Sequence, residues 1–283
     1  MSTYAADQAA TQFATINGDS IAYRKIGSGS PLVLANRMRG TLDTWDPLFL
    51  DGLAAAHTVI TFDYPGVGYS SGKLPADMSD VANIVAALAA QLGLDKFAMG
   101  GWSWGGFVAQ TMVVEHPELV THAVIIGANP VGENALPIQQ AFLDRALKPV
   151  NDLADEEVLF FEPKSARSMA AAKASHERIH ARGGVTEKIP ATMDEFMAFL
   201  GAARTAHADA KGRRARLAQS TTPMLILGGS NDISTPSANW YPLLGQIPRA
   251  QFIMLAESGH GPQHQYPELS AQYIKDFLRL AAK

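Results

Sequence analysis

The feature that most restricts this chain is a rhythm in which short, continuous apolar runs alternate with longer stretches of helical periodicity. Leu32-Val33-Leu34-Ala35 precedes a helical pattern ending near Ala56, and Thr58-Val59-Ile60-Thr61-Phe62 precedes one from about Met78 to Leu92. Phe97-Ala98-Met99-Gly100 then leads into a pattern reaching about Glu115, and His122-Ala123-Val124-Ile125-Ile126 follows it. Strands without polar alternation need cover on both faces, which is the condition of a parallel sheet wound between two helical layers. Ahead of them, Phe13–Ile16 and Ser20–Lys25 flank Asn17-Gly18, a dipeptide that accepts the positive φ of a tight turn, so the series begins with a hairpin.

The rhythm stops near Asn129 and resumes at Met224-Leu225-Ile226-Leu227, followed by a short helix, the run Gln251–Leu255 and a last helix from Pro267. The stretch between is Ala-rich, charged and helical, with no strand-like run. The expected fold class is therefore α/β, a doubly wound sheet forming one discontinuous core domain (residues 1–129 and 217–283). A helical insertion (residues 130–216) interrupts it.

Composition narrows the function classes. A net charge of −4 gives no footprint for nucleic acid, and the densest basic run, Lys211 to Arg216, reads as a solvated helix end. The absence of cysteine excludes disulfides, thiolate catalysis and cysteine-held metals. Met1 to Phe13 has neither the basic start nor the apolar run of a signal peptide, and no apolar stretch approaches ~18 residues, so no membrane partner is expected and a cytoplasmic enzyme is the expectation. Gly66-x-Gly68 lacks a third glycine and no phosphate loop occurs, so no cofactor is expected. The partner is a small-molecule substrate; whether the chain forms a homo-oligomer is left open.

The chemistry concentrates at Gly101-Trp102-Ser103-Trp104-Gly105, set between a strand and a helix. A serine on so sharp a turn lifts its hydroxyl above the sheet edge, and the strained backbone needs small residues two positions to either side. An alcohol is a weak nucleophile at neutral pH and requires a base, which in turn requires an orienting acid. Both belong at the carboxyl ends of later strands. Asp232 follows the run ending at Leu227 and His260 follows the one ending at Leu255, giving the chain order Ser, Asp, His. His264 is the substitute base; Asp152, Asp155 and Asp194 lie in the insertion and are poorer acids.

On these residues the chain resembles the α/β-hydrolase superfamily over nearly its whole length. The likeness is carried by Gly-Trp-Ser-Trp-Gly, Asp63-Tyr64-Pro65-Gly66-Val67-Gly68-Tyr69-Ser70, His116-Pro117-Glu118 and the Asp232 and His260 loops. It implies an eight-stranded, mostly parallel sheet with a helical lid after the sixth strand, catalytic Ser103, Asp232 and His260, and structural roles for Asp63 and His116. Family members carry His-Gly after the third strand, where the next residue donates an oxyanion N–H. Here Asn36-Arg37 stands in that place. In that register the backbone N–H groups of Met38 and Trp104 form the oxyanion hole, with Arg37 as the alternative donor to Met38; one donor is worth roughly 3 kcal/mol of transition-state stabilisation.

Arg37 and Arg39 offer a guanidinium fork for a substrate carboxylate or phosphate, against the alternative that both face solvent or internal carboxylates. Trp102, Phe160, Phe161 and Phe196, with Phe199-Leu200, would line an apolar pocket. His176-Glu177-Arg178-Ile179-His180 matches the helical H-E-x-x-H zinc pattern. The extended motif needs a ligand at Thr186, and Glu187 and Glu195 fall too near for the shorter one, so it reads as a chance match and no metal is expected. The expected activity is that of a serine esterase or lactonase acting on a small apolar acyl substrate. C–C bond hydrolysis of diones, perhydrolase chemistry, or a ligand-binding receptor with a weak site are the alternatives.

Overall fold

The computed structural model describes residues 4–281. The first three residues of the stretch scanned for a leader and the last two of the core's second half lie outside the described residues. Eight strands, β1 (Gln12–Ile16), β2 (Asp19–Ile26), β3 (Ser30–Ala35), β4 (His57–Phe62), β5 (Phe97–Trp102), β6 (Val120–Ile126), β7 (Met224–Gly229) and β8 (Ala250–Leu255), form one sheet in the order β1-β2-β4-β3-β5-β6-β7-β8. β2 pairs antiparallel with β1 and β4, and every other pairing is parallel.

The helices are α1 (Ala5–Gln8), α2 (Pro47–Ala54), α3 (Met78–Gln91), α4 (Trp104–Glu115), α5 (Gln140–Ala146), α6 (Leu153–Phe160), α7 (Ala166–His180), α8 (Met193–Ala208), α9 (Arg213–Ala218), α10 (Pro262–Gln265) and α11 (Pro267–Ala281). Five of them, α5 to α9, fall between β6 and β7. The short helix expected after β7 is a 3₁₀ helix over Ser237–Leu243 containing Pro242. Two details depart from the sequence reading. α1 had no periodic signal; the Asp51 carboxylate holds its Ala5 and Ala6 amides at 2.8 and 2.9 Å. β5 continues to Trp102, two residues beyond the apolar run, because its glycines still pair with β6.

The sheet is apolar on both faces, as the unbroken runs require. Val33, Ile60, Met99, Ile125 and Ile226 pack with α3 and α4 on one face, while Leu32, Leu34, Val59, Val124 and Leu225 pack with α2 and α11 on the other. α4 is buried around nearly its whole circumference, so the residues at its start have almost no freedom to shift. Among the described residues no helix is long and apolar enough to cross a membrane.

The basic run is not a solvated helix end. Arg213 is buried and reaches Glu115 at 2.8 Å and Ser79 at 2.6 Å, Arg214 reaches the Val131 carbonyl at 2.7 Å, and Arg216 binds the Val114 carbonyl. Arg213 and Arg214 fasten α9 to the core, while Arg216 makes its contact from an exposed position.

Candidate active site

Ser103 sits between β5 and α4 with φ 56° and ψ −116°. A non-glycine residue there stores about 1–3 kcal/mol of strain, sustained only by rigid surroundings. The neighbours show why they must be glycine. A Cβ at Gly101 would lie 1.9 Å from the Gly105 carbonyl oxygen, and one at Gly105 would lie 2.1 Å from that of Ala35.

The Ser103 hydroxyl lies 2.7 Å from His260 Nε2, and His260 Nδ1 lies 2.9 Å from Asp232 Oδ2. Three side chains from the ends of β5, β7 and β8 thus meet at one rim. Asp232 Oδ1 accepts from the amides of Ser234 and Thr235, each at 2.8 Å, and Oδ2 accepts from the Thr235 hydroxyl at 2.8 Å. Burial pushes the Asp232 pKa up, but the His260 charge and the donors from His260 and Thr235 outweigh it and hold the carboxyl below its ordinary range. Thr235, also 3.2 Å from His260 Nδ1, was not singled out from sequence; its signal is a hydroxyl three residues past the acid, a common local turn pattern. His264 is buried against Trp102, and burial drives its pKa down to about 4. Nothing links it to Ser103.

The loop after β3 carries Asn36 where the resemblance expects histidine. Asn36 is buried, donates to the Thr41 carbonyl at 2.7 Å and to Thr44 Oγ1 at 3.0 Å, and its Oδ1 takes the Arg37 amide at 2.8 Å. The Arg37 N–H is therefore engaged. Among the described residues the Met38 amide makes no hydrogen bond, and Trp104 opens α4, where an amide has no intrahelical acceptor. Asp63 accepts from the Leu42 and Tyr69 amides at 2.7 and 2.9 Å, and His116 contacts Asn83 at 3.0 Å. Both sit away from the serine. Asp152 caps α6, and Asp155 pairs with Lys148.

A mostly apolar cavity of about 810 Å³ opens over Ser103 and His260. Met38, Trp104 and Phe160 line it, with Phe142, Leu143 and Leu200 from the helices between β6 and β7. Trp102, Phe161 and Phe196, expected in the pocket, do not line it. Trp102 is enclosed and gives its indole N–H to the His260 carbonyl at 2.8 Å; as the last residue of a strand it points to the face opposite the serine's turn. Phe161 is buried with its carbonyl against Gly259, and Phe196 lies under the Arg39 guanidinium at 4.4 Å.

The two arginines separate. Both border the cavity, but Arg39 donates to the carbonyls of Ala146, Lys148, Pro149 and Pro190 at 2.7–2.8 Å, so it ties the loop after β3 to the helical segment. Arg37 lines the cavity, stacks over Phe160 at 4.7 Å and Trp102 at 5.4 Å, and donates Nη1 to the Met38 carbonyl at 2.9 Å. Among the described residues it has no carboxylate ion pair, and its Nε is buried without a partner. Burial and the Arg39 charge, opposed by Glu156, lower its pKa to about 10.

The family model described as the alpha/beta hydrolase fold matches residues 31–267. An alpha/beta hydrolase fold protein from Chitinophaga pinensis superimposes with a TM-score of 0.85 at 30% identity, covering 96% of this chain and 98% of that one. The dihydrolipoyllysine-residue acetyltransferase component of the acetoin cleaving system of Cupriavidus necator is 30% identical over 90% of this chain, which spans 65% of that protein's length. A pimeloyl-(acyl-carrier protein) methyl ester esterase of Nitrosomonas europaea is 24% identical over 91% of this chain and 98% of that protein.

Proposed function

Because the chain belongs to the α/β-hydrolase fold family and is an enzyme of hydrolase type, we propose that it cleaves a carboxylic ester or lactone of a small, largely apolar acyl compound through a Ser103 acyl-enzyme. The reading rests on one observation above the others, the unbroken line of hydrogen bonds from Asp232 through His260 to the Ser103 hydroxyl.

Ser103 Oγ attacks the carbonyl carbon while His260 Nε2 accepts its proton. The N–H groups of Trp104 and Met38 hold the oxygen that becomes negative, the role for which fixed amides are best suited because they need no reorganisation. As the C–O bond breaks, His260 returns the proton to the leaving oxygen. Water then attacks the acyl carbon, gives a proton to His260, and Ser103 leaves as the alcohol. Asp232 keeps the imidazole in the tautomer that accepts at Nε2. The helical segment, residues 130–216, serves as the lid, and its apolar side chains favour a hydrophobic acyl group. Arg37 adds an anchor for an acid group on that substrate, supported by its place in the wall without a carboxylate partner.

A fluorophosphonate probe and p-nitrophenyl butyrate test this directly. Wild type should be labelled once and turn over the ester; Ser103→Ala should lose the label and drop in kcat about a million-fold. An unlabelled wild type, or a Ser103→Ala variant that keeps its rate, removes the reading.

A further inference from the structure

The two histidines that helical spacing places on one face of α7 acquire in the fold a third neighbour that the downstream sequence does not supply. It is Glu156 of α6, 20 residues upstream. His176 Nδ1 lies 2.8 Å from Glu156 Oε2, and His180 Nδ1 lies 3.0 Å from the His176 carbonyl oxygen. The two rings are 4.0 Å apart between centroids and inclined by 32°. The His176 nitrogen and the Glu156 oxygen that face each other are both ligand atoms once the proton they share is lost, so an ion can take that proton's place. One ligand atom from each of the three residues lies within 4.8 Å of the other two. A zinc-like ion bonds at ~2.0–2.2 Å, so two of its ligand atoms stand no more than about 4.4 Å apart, close to the spacing found here. All three residues are half-buried, so solvent can deliver the ion.

We propose that Glu156, His176 and His180 bind one divalent transition-metal ion of the zinc, nickel or copper class. Two imidazoles and a carboxylate suit those metals, whereas magnesium and calcium demand oxygen donors. None of the three residues lines the cavity over Ser103, so the ion does not touch the reacting atoms. It clamps α6 to α7. Phe160 ends α6 and forms part of the cavity wall, so the clamp restrains that wall.

The test uses the full, untagged chain stripped with chelator and titrated calorimetrically with zinc chloride, with magnesium chloride as the contrast. One zinc per chain is expected, with a rise in Tm and no response to magnesium. Glu156→Gln, which removes the anionic ligand, should clearly weaken zinc binding, and His176→Ala with His180→Ala should abolish both binding and the Tm rise. His180→Gln keeps a hydrogen-bonding side chain on the same helix face, and circular dichroism on it separates a lost ligand from a lost fold. Ser103→Ala should bind zinc as wild type does, which keeps this result independent of the hydrolytic reading. No saturable zinc binding by wild type, or equal affinity in the double variant, overturns the proposal.

Discussion

The rim of the sheet and the helical segment between β6 and β7 are fixed by opposite means. At the rim, backbones touch where side chains are missing: a Cβ on Gly229 would lie 2.1 Å from the Gly259 carbonyl oxygen, and one on Gly127 would lie 2.5 Å from that of His260. The helical segment is instead held by long side chains. Arg39 gathers four of its carbonyls, Arg178 grips buried Asp46 at 2.6 Å, Arg182 meets Asp43 at 3.0 Å, and Arg213 meets Glu115 at 2.8 Å. Close backbone approach fixes atoms to within tenths of an ångström, which suits a reacting group. Arginine ties tolerate a different sequence between their ends, which would suit the lid role proposed for this segment.

The sharpest way to break that contrast is to disturb the rim without disturbing its backbone. Asp232→Asn keeps the acceptor for Ser234 and Thr235 but removes the charge, so His260 can settle in the wrong tautomer. kcat should fall about 10⁴-fold, and Tm at neutral pH should fall as well, because the stabilising charge is gone. The acid limb of stability supplies the sign. A carboxyl depressed on folding stabilises above its unfolded pKa, and that contribution is lost as pH falls through the folded value. Urea unfolding from pH 6 downward should therefore show an acid-side loss of stability in wild type, below roughly pH 4, that Asp232→Asn lacks. A variant with wild-type rate would mean that Asp232 orients nothing.

Next in size is a cut through the ties. Arg178→Met leaves Asp46, fully enclosed, with only the Ser175 hydroxyl and the Leu48 amide that it caps, and no cation in hydrogen-bond contact. Stranding a buried charge costs about 3–5 kcal/mol. The loss should appear in urea unfolding, and Asp46→Asn in the same chain should recover part of it. If Arg178→Met is neutral, the segment is held by apolar packing and the contrast fails.

The same contrast explains what could be read in advance. Ser103, Asp232 and His260 were legible because each follows a strand whose apolar run is visible, and Gly101 and Gly105 mark the turn within two residues of the nucleophile. Arg39, Arg178 and Arg213 bind partners roughly 100 or more residues away, and nothing local distinguishes them from surface arginines, so the basic run at 211–216 was read as solvated. Trp102 was misplaced for another reason. Flanking the serine in sequence does not mean sharing its face, because successive strand residues point to opposite sides. The Asn36 substitution was visible, but its use of the Arg37 amide, which leaves the Met38 amide unpaired among the described residues, depended on a side-chain rotamer.

A smaller effect tests where selectivity arises. Arg37→Met should lower the kcat/KM ratio between an acidic half-ester and a neutral ester of equal length by about tenfold, the low end for a hydrogen bond to a charged group. Because Arg37 adjoins Met38, both rates can fall together, so the ratio is the quantity to read. An unchanged ratio would assign Arg37 to packing against Trp102 and Phe160 alone.

The smallest change carries the contrast to a single methyl group. Gly201 lies inside α8, with nothing within 4 Å of where its Cβ would stand, whereas the same atom on Gly105 would strike the Ala35 carbonyl. A glycine in a helix interior costs about 1 kcal/mol relative to alanine, through the freedom it loses on folding. Gly201→Ala should thus raise stability by about that amount in urea unfolding. If it destabilises instead, then the packing over α8 is as tight as that of the rim, and the cover owes its position to close contact as well as to its arginines.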